Sequence, residues 1–325
     1  MGGRKTEEVR PEMFRIKIPL PDTPLKYLNS YVVRSEERNL LIDTGFNSPI
    51  CLDAMMEGLN HLGIDLSRTD IFVTHFHADH FSLIPELKTP TTQIFFNRPE
   101  AEILENWQGF GKMISHAEIH GFPKTNLQAI LEAHPASRFG VKWIPDAEML
   151  SEGQPLAYGD YRFICIETPG HTLGHICLYE TKEKLLVSGD HILGDITPNI
   201  QCWDDRQNPL KQYYSSLDKV KRLDVNLVLT GHRRPFQDLN RRVDELKTHH
   251  NERLEEILII LNQGPQTAFD IASKMGWDIK ASDWNEFPLA QQWFATGEVL
   301  SHLRFLEEGK KIRRRMLDQF VMFCR

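Results

Sequence analysis

The sequence predicts a mixed α/β protein in which two sheets pack together with helices outside, followed by a smaller, mostly helical domain. Short apolar runs that end in polar loops alternate with helical spacing through the first 240 residues. Beyond that point helical spacing dominates until a short pair of strands at 312–323. At 325 residues the chain suits one large domain, 1–240, and one smaller domain, 241–325.

Composition narrows the class of protein. Hydrophobic residues make up 41% of the chain and charged residues 26%, and no apolar run reaches 18 residues, so we expect a globular protein without a membrane helix. Residues 1–11 lack the apolar segment of a signal peptide and the pattern of a myristoylation signal. The five cysteines are widely spaced without a Cys-x-x-Cys motif, which predicts buried free thiols and a cytoplasmic location.

The charge distribution argues against general attraction to nucleic acid. The net charge is −7, and residues 241–325 hold 13 Lys/Arg and 13 Asp/Glu, so residues 1–240 carry the whole excess of acid. An acidic surface repels a polyanion. Composition therefore favours a small substrate over a long nucleic acid.

The first hundred residues read as alternating strands and helices. Residues 14–20 and 28–43 are expected to be strands joined by a proline-rich turn. Helical spacing predicts a helix over 48–63 that ends at Gly63. The pattern then predicts, in order, the strand Ile71–Thr74, the helix Asp79–Lys88, the strand Gln93–Phe96 and the helix Pro99–Trp107.

Residues 108–138 interrupt this alternation with helix-like stretches around 112–118 and 125–134. This segment reads as a helical insert that either shapes a substrate pocket or forms a solvated hairpin with ordinary histidines. We assign none of its histidines, His116, His120 and His134, to a metal.

Three further apolar runs predict strands: Tyr161–Ile166, Leu185–Ser188 and Asn226–Thr230. An amphipathic helix, Asn208–Arg222, lies between the last two. Each run ends just before a histidine or aspartate, where a loop can turn the side chain toward a common point.

The C-terminal region reads as helix, helix and β wing. The predicted elements are helices at Arg241–Leu261, Thr267–Met275 and Leu289–Leu306, then a hairpin at Ile312–Phe323. This order is typical of a winged helix. Such domains often bind DNA, and the basic run 310–315 invites that interpretation. Because the domain is neutral overall, we favour a role in packing or in a homodimer over nucleic-acid contact.

The segment 74–80 carries the strongest chemical signal. It places His75, His77, Asp79 and His80 directly after an apolar run. Imidazole and carboxylate groups are ligands of divalent transition metals. Four such groups cannot all reach one ion from so short a segment, so we expect two ions side by side, with His75 and His77 on one ion.

Later loops supply the remaining candidates. His171 lies in the phrase Gly-His-Thr-Leu-Gly-His, Asp190 follows Gly189, and His232 follows Gly231. Together with the His-x-His-x-Asp-His motif and the Leu-Ile-Asp-Thr-Gly segment at 41–45, these phrases resemble the metallo-β-lactamase superfamily over about residues 14–240. The resemblance implies an αββα sandwich with the metals at one edge of the two sheets.

The resemblance also implies roles for the residues. His75, His77 and His171 would hold the first metal, Asp79, His80 and His232 the second, and Asp190 would bridge them. Zinc is the expected metal, although iron and manganese suit the same ligands. Two ions lower the pKa of a shared water, and Asp79 and Asp190 would act in catalysis. Asp43, Thr172 and His175 are expected to support the ligands, and no organic cofactor is expected.

The substrate is less constrained. We favour a glyoxalase II-like hydrolase of a small thioester, ester or lactone. Residues 245–325 resemble the C-terminal domain of the branch that includes β-lactamase-like protein 2, which implies the alternative of an endoribonuclease acting on single-stranded RNA. A further alternative is a non-hydrolytic, metal-containing protein with a ligand-binding or regulatory role.

Overall fold

Seven strands form the first sheet in the order of the chain. The computed structural model describes residues 6–140, 147–279 and 281–325; residues 1–5, part of the start for which we predict no signal peptide, lie outside this range. Neighbouring strands are antiparallel from β1 to β4 and parallel from β4 to β7. The strands are β1 (Thr6–Arg10), β2 (Met13–Pro19), β3 (Tyr27–Val33), β4 (Asn39–Ile42), β5 (Thr69–Phe72), β6 (Ile94–Asn97) and β7 (Ala147–Leu150).

The second sheet has five strands in the order β12-β11-β10-β9-β8. Only the pair β11 and β12 is parallel. The strands are β8 (Pro155–Tyr158), β9 (Tyr161–Glu167), β10 (Ile176–Glu180), β11 (Leu185–Gly189) and β12 (Leu227–Thr230). The sequence predicted β9, β11 and β12 but not β8 or β10, nor β1 and β7 of the first sheet.

The two sheets pack face to face around one apolar layer. In β11, Leu185 and Val187 point into this layer while Leu186 points to the other side of the sheet, where helices cover it. The alternation follows from the two-residue period of a strand. Since helices also cover the outer face of the first sheet, the fold is the αββα sandwich that the sequence predicted.

Four helices lie in the first part of the chain: α1 (Pro49–His61), α2 (Ala78–Phe81), α3 (Ile84–Leu87) and α4 (Arg98–Glu105). The single helix predicted over 79–88 is wrong, because the structure has two short helices there. Pro85 lies in the first turn of α3. Ahead of it, the Leu83 backbone N–H donates to the Gly45 carbonyl at 3.0 Å instead of continuing α2, and Pro85 has no N–H with which to bond back across the break.

The insert contains one helix more than predicted: α5 (Gly111–Ile119), α6 (Lys124–Ala133) and α7 (Pro135–Phe139). Its apolar face is covered, because Phe122, Leu127 and Ile130 pack with Trp293 of the C-terminal region. At its end, Phe139 stacks on Phe46 with the ring centroids 4.6 Å apart. The insert is therefore not a solvated hairpin.

The remaining helices cover the second sheet. They are α8 (Pro209–Lys221), α9 (Leu239–Leu261), α10 (Ala268–Ala272) and α11 (Leu289–Glu308), followed by the hairpin β13 (Arg313–Leu317) and β14 (Phe320–Cys324). Tyr213 and Val220 of α8 share one apolar cluster with Val243 and Leu246 of α9. The boundary predicted at residue 240 thus crosses a continuous core. None of the described helices has the length and apolarity to cross a bilayer.

Candidate metal centre

The predicted ligands come from both sheets and meet at one edge of the sandwich. The first sheet contributes His75, His77, Asp79 and His80 from the loop after β5 and from α2. The second sheet contributes residues from the loops that follow β9, β11 and β12: His171, Asp190 and His232. Asp79 and His232, 153 positions apart in the chain, are thereby brought within 3.3 Å of each other, which only the packing of the two sheets achieves.

Three histidines form the first group. His77 Nδ1 lies 3.1 Å from His75 Nε2 and 3.1 Å from His171 Nε2. Two ligand atoms that are each about 2.0–2.1 Å from a tetrahedral ion lie about 3.3 Å from one another. The three nitrogens therefore have the spacing of three ligands of one ion.

Asp79, His80 and His232 form the second group. His232 Nε2 lies 3.3 Å from Asp79 Oδ2, and His80 Nε2 lies 3.9 Å from the same oxygen. The first separation equals that of two ligands on one tetrahedral ion, and the second is wider.

Asp190 lies between the two groups. Its Oδ2 is 3.2 Å from His232 Nε2 and 3.9 Å from His171 Nε2, and its Oδ1 is 3.7 Å from His80 Nε2. One carboxylate thus faces histidines of both groups.

Several of these polar atoms have no hydrogen-bond partner among the described residues. They include His80 Nε2, His232 Nε2 and Asp190 Oδ1, all of which are buried. A buried polar atom without a partner is unfavourable by roughly 1–3 kcal/mol. Three such atoms among the candidate ligands fit a site that is completed by metal ions.

A second layer of contacts fixes the histidine rings. His80 Nδ1 lies 2.8 Å from Asp43 Oδ2, and Asp43 also accepts hydrogen bonds from the backbone and the hydroxyl of Thr74. The backbone carbonyls of Asn199 and Tyr27 face His171 Nδ1 at 2.8 Å and His232 Nδ1 at 3.0 Å. Such partners orient the ring so that the other nitrogen faces the metal.

His175 holds Asp190 rather than a metal. The Asp190 backbone N–H donates to His175 Nε2 at 3.2 Å, and His175 Nδ1 pairs with the Thr168 hydroxyl at 2.8 Å. The supporting role predicted for His175 and Asp43 agrees with these contacts. Thr172 donates instead to Glu100, which also accepts from the backbone of Gly174 at 3.0 Å.

Sequence reasoning missed Glu100. Its side chain is fully buried, and burial raises its pKa to about 7, although its hydrogen bonds to Thr172 and Gly174 oppose this. The only local sign was a glutamate in the first turn of α4. Glu100 ties the α4 end of the first sheet to the loop that carries His171.

Electrostatics divide the ligands into two kinds in the metal-free protein. Burial lowers the pKa of His77 to about 3 and that of His75 well below its usual value, so both are neutral. Burial works against protonation of His232 too, but Asp190 and Asp79 raise its pKa to about 10. Burial likewise opposes ionisation of Asp79, yet His80 and His232 lower its pKa to about 2.

The other histidines lie apart from these groups. His191 follows Asp190, but its ring packs against Tyr213 with the centroids 5.2 Å apart. His134 accepts a hydrogen bond from the backbone N–H of Ala136 at the start of α7. His116 on α5 and His120 at the end of that helix lie together beside Asp205.

Comparison with known proteins agrees with this geometry. Residues 24–232 match the family model of the metallo-beta-lactamase superfamily. A probable metallo-hydrolase of Bacillus subtilis (strain 168) is 25% identical over 317 residues, which cover 93% of this chain and 94% of the relative. A beta-lactamase-like protein 2 homolog of Caenorhabditis elegans is 23% identical over 291 residues, which cover 86% of this chain and 83% of the relative.

A solved structure extends the likeness through the C-terminal region. A metallo-beta-lactamase family protein from Thermus thermophilus superposes with a TM-score of 0.82 at 27% sequence identity. The superposition covers 98% of this chain and 100% of that protein.

Proposed function

Because the chain belongs to the metallo-beta-lactamase superfamily and is a metal-dependent hydrolase, we propose that it works with two divalent ions on a small thioester, ester or lactone. The match of residues 24–232 to the family model confirms the resemblance drawn from the His-x-His-x-Asp-His motif. The substrate class, the number of ions and the roles of individual residues are the content of the proposal.

The position of Asp190 carries the proposal of two ions. Its Oδ2 faces His232 of one group and His171 of the other, at 3.2 and 3.9 Å. A single ion would need only one of the two histidine groups. A carboxylate between both groups supports a bridging role, with His75, His77 and His171 on one ion and Asp79, His80 and His232 on the other.

When bound, two such ions activate a shared water and polarise the oxygen of the bond to be cleaved. The protein's own groups hold the candidate ligands in position. Asp43 fixes the His80 ring, and His175 holds the backbone of Asp190. Asp79 is ionised at neutral pH and can orient the nucleophile or accept its proton at a carboxylate oxygen.

We propose zinc as the metal. Five of the seven candidate ligands are histidines and two are aspartates, a set that zinc binds well. Iron and manganese accept the same groups, so metal supply would decide among them in the cell.

The preference for a small substrate rests on charge and on the insert. The acid excess of residues 1–240 disfavours a long polyanion. The last helix of the insert, α7, lies against α2, which carries Asp79 and His80. Phe139 of α7 also stacks on Phe46, and Arg138 pairs with Asp22. This contact supports the view that the insert narrows access to the site.

A packing role is proposed for the C-terminal domain, residues 241–325. Helix α11, the third helix of the winged-helix order, buries Trp293, Val299 and Leu303 in the protein's cores. A helix used in this way is not free to enter a nucleic-acid groove. Of the basic run 310–315, Arg314 pairs with Asp205 and Glu307. A homodimer stays a prediction that sedimentation would test.

The cytoplasmic location is also part of the proposal. Cys51, Cys165, Cys177 and Cys202 are buried free thiols, and Cys324 is half-buried and free. Free thiols persist in a reducing compartment.

Release of thiol from a panel of small acyl thioesters tests the function. Zinc-loaded protein should turn over at least one of them, and Asp190→Asn should remove the activity. The matched control is Asp195→Asn, an exposed carboxylate on the same loop outside the ligand groups. If the loaded wild-type protein shows no turnover of thioesters, esters or lactones but cleaves single-stranded RNA, the endoribonuclease alternative replaces this proposal. Tight ligand retention without any turnover would favour the non-hydrolytic alternative.

A further inference from the structure

A second cluster of ligand-type side chains lies away from the candidate metal centre. It consists of His116 on α5, His120 directly after the end of α5, and Asp205 on the loop before α8. One ligand atom from each lies within 4.8 Å of the others. The His120 backbone N–H donates to the His116 carbonyl four residues back, as in a helical turn, so the two side chains face the same side.

The spacing within the cluster suits a metal ion. His116 Nε2 lies 3.3 Å from Asp205 Oδ1, which is about the separation of two ligands on a tetrahedral ion. The rings of His116 and His120 have centroids 4.4 Å apart and are tilted by 46°. Two histidines and a carboxylate would leave one position of a tetrahedral zinc ion to water.

His120 supplies an independent observation. Its side chain is fully buried, and neither ring nitrogen has a hydrogen-bond partner among the described residues. His116 Nδ1 is likewise buried and without a partner. A plain ion pair between His116 and Asp205 would explain nothing about His120. A metal ion would give one of its nitrogens the partner that it lacks.

The surroundings provide room and charge balance. A cavity of about 10 Å³, enough for about one water molecule, is lined by His116, Asp205, Cys202 and Arg314 among others. Arg314 contacts the other oxygen of Asp205 at 2.7 Å and Glu307 at 3.0 Å. Because Arg314 contacts Oδ2, Asp205 Oδ1 is left facing His116 within the cluster.

We propose that His116, His120 and Asp205 form a second site for a divalent transition metal, zinc in the first place, with water completing its coordination shell. The cluster lies where three parts of the chain meet. His120 stacks on Phe323 of β14, and its backbone carbonyl accepts from Phe269. A metal here would join the insert, the loop before α8 and the C-terminal region.

Metal content per folded chain tests the site. Wild-type protein saturated with zinc and then dialysed should hold one equivalent more than His120→Phe, which keeps a ring stacked on Phe323 but removes both nitrogens. Asp205→Asn should also lose that equivalent. The control His61→Asn changes an exposed histidine on α1 and should match the wild type.

The readout is the difference between variants, so it does not depend on how many ions the candidate metal centre holds. Hydrolytic activity should be unchanged in the variants, because none of these residues lies among the candidate ligands of that centre. Metal content equal to wild type in both His120→Phe and Asp205→Asn would overturn the proposal. Should His120→Phe fail to fold, the content of Asp205→Asn decides alone.

Discussion

Asp43 Oδ2 lies 2.8 Å from His80 Nδ1, and both side chains are buried. This contact joins the end of β4 to helix α2 and leaves His80 Nε2 facing Asp79 and Asp190. The same carboxylate receives two hydrogen bonds from Thr74. Asp43 thus orients the candidate ligand His80 without being a ligand itself.

Asp43→Asn should weaken metal binding by about 10- to 100-fold, because the amide cannot supply the charge that orients and polarises the His80 ring. Asparagine tolerates the positive φ of 58° at this position, so the backbone should keep its shape. Competition with a chromogenic chelator measures the affinity. Asp53→Asn, an exposed change on α1, is the control. Equal affinities in both variants would contradict this role.

Gly231→Ala should lower activity by about 100-fold or more. A Cβ at this position would lie 2.4 Å from Asp190 Oδ1 and 2.9 Å from His80 Cε1, so both side chains would have to move. Displacement of reacting groups by about 1 Å can reduce rates by about that factor. Gly111→Ala, where no atom lies within 4 Å of the new Cβ, should keep full activity. Thioester turnover and metal content of the two variants provide the comparison.

Metal loading should release protons unequally. His75 and His77 are neutral at pH 7 because burial lowers their pKa values, so an ion on their group displaces no proton. His80 and His232 have raised pKa values, about 10 for His232, so both rings are positively charged at pH 7. A metal must displace one proton from each of them. Affinity at this second group should therefore rise with pH from neutral to about 10, by about tenfold per pH unit for each proton released.

Calorimetry in buffers of different ionisation enthalpy measures that release. The first equivalent of zinc should show little dependence on the buffer, and the second a strong one. Asp79→Asn, which removes a carboxylate that raises the pKa of His232, should reduce the protons released with the second equivalent. Equal proton release for both equivalents would refute the division of the ligands into two kinds.

Trp293→Ala should destabilise the protein by about 3–5 kcal/mol, because this large side chain is 1% exposed in the cluster that joins the insert to the C-terminal region. Urea unfolding followed by circular dichroism measures the effect. Trp107→Ala, at a residue 45% exposed, should change stability by only about 0.5 kcal/mol. A loss of similar size in both variants would mean that the Trp293 cluster does not tie the two regions together.

Residues 1–240 should not fold well without the rest of the chain. Removal of residues 241–325 would expose Tyr213 and Val220 of α8, which pack against Val243 and Leu246 of α9. Exposed apolar surface of this kind promotes aggregation. Gel filtration and thermal unfolding of the two fragments test this expectation. Cooperative unfolding of an isolated 1–240 fragment would contradict this expectation.

The sequence by itself determined the type of chemistry. Four candidate ligands, His75, His77, Asp79 and His80, lie within six consecutive positions, so the chain itself brings them close together. The strand that precedes them follows from apolar periodicity. The glycine phrases around His171, Asp190 and His232 carried the family resemblance. The same reasoning failed at 79–88, where the Leu83 N–H bonds the distant Gly45 carbonyl, so that one helix ends and another begins at Ile84.

Only the tertiary structure decided how those groups meet and what supports them. The carbonyls of Tyr27 and Asn199 that orient His232 and His171 belong to backbone, which leaves no mark in a sequence. Glu100 and Thr172 pair across 72 positions, and α8 and α9 share a core across the boundary predicted at 240. Local spacing fixes which atoms a segment offers. Which nitrogen faces a metal, and which side chain loses its water, depends on packing between distant segments, and periodicity contains no information on that packing.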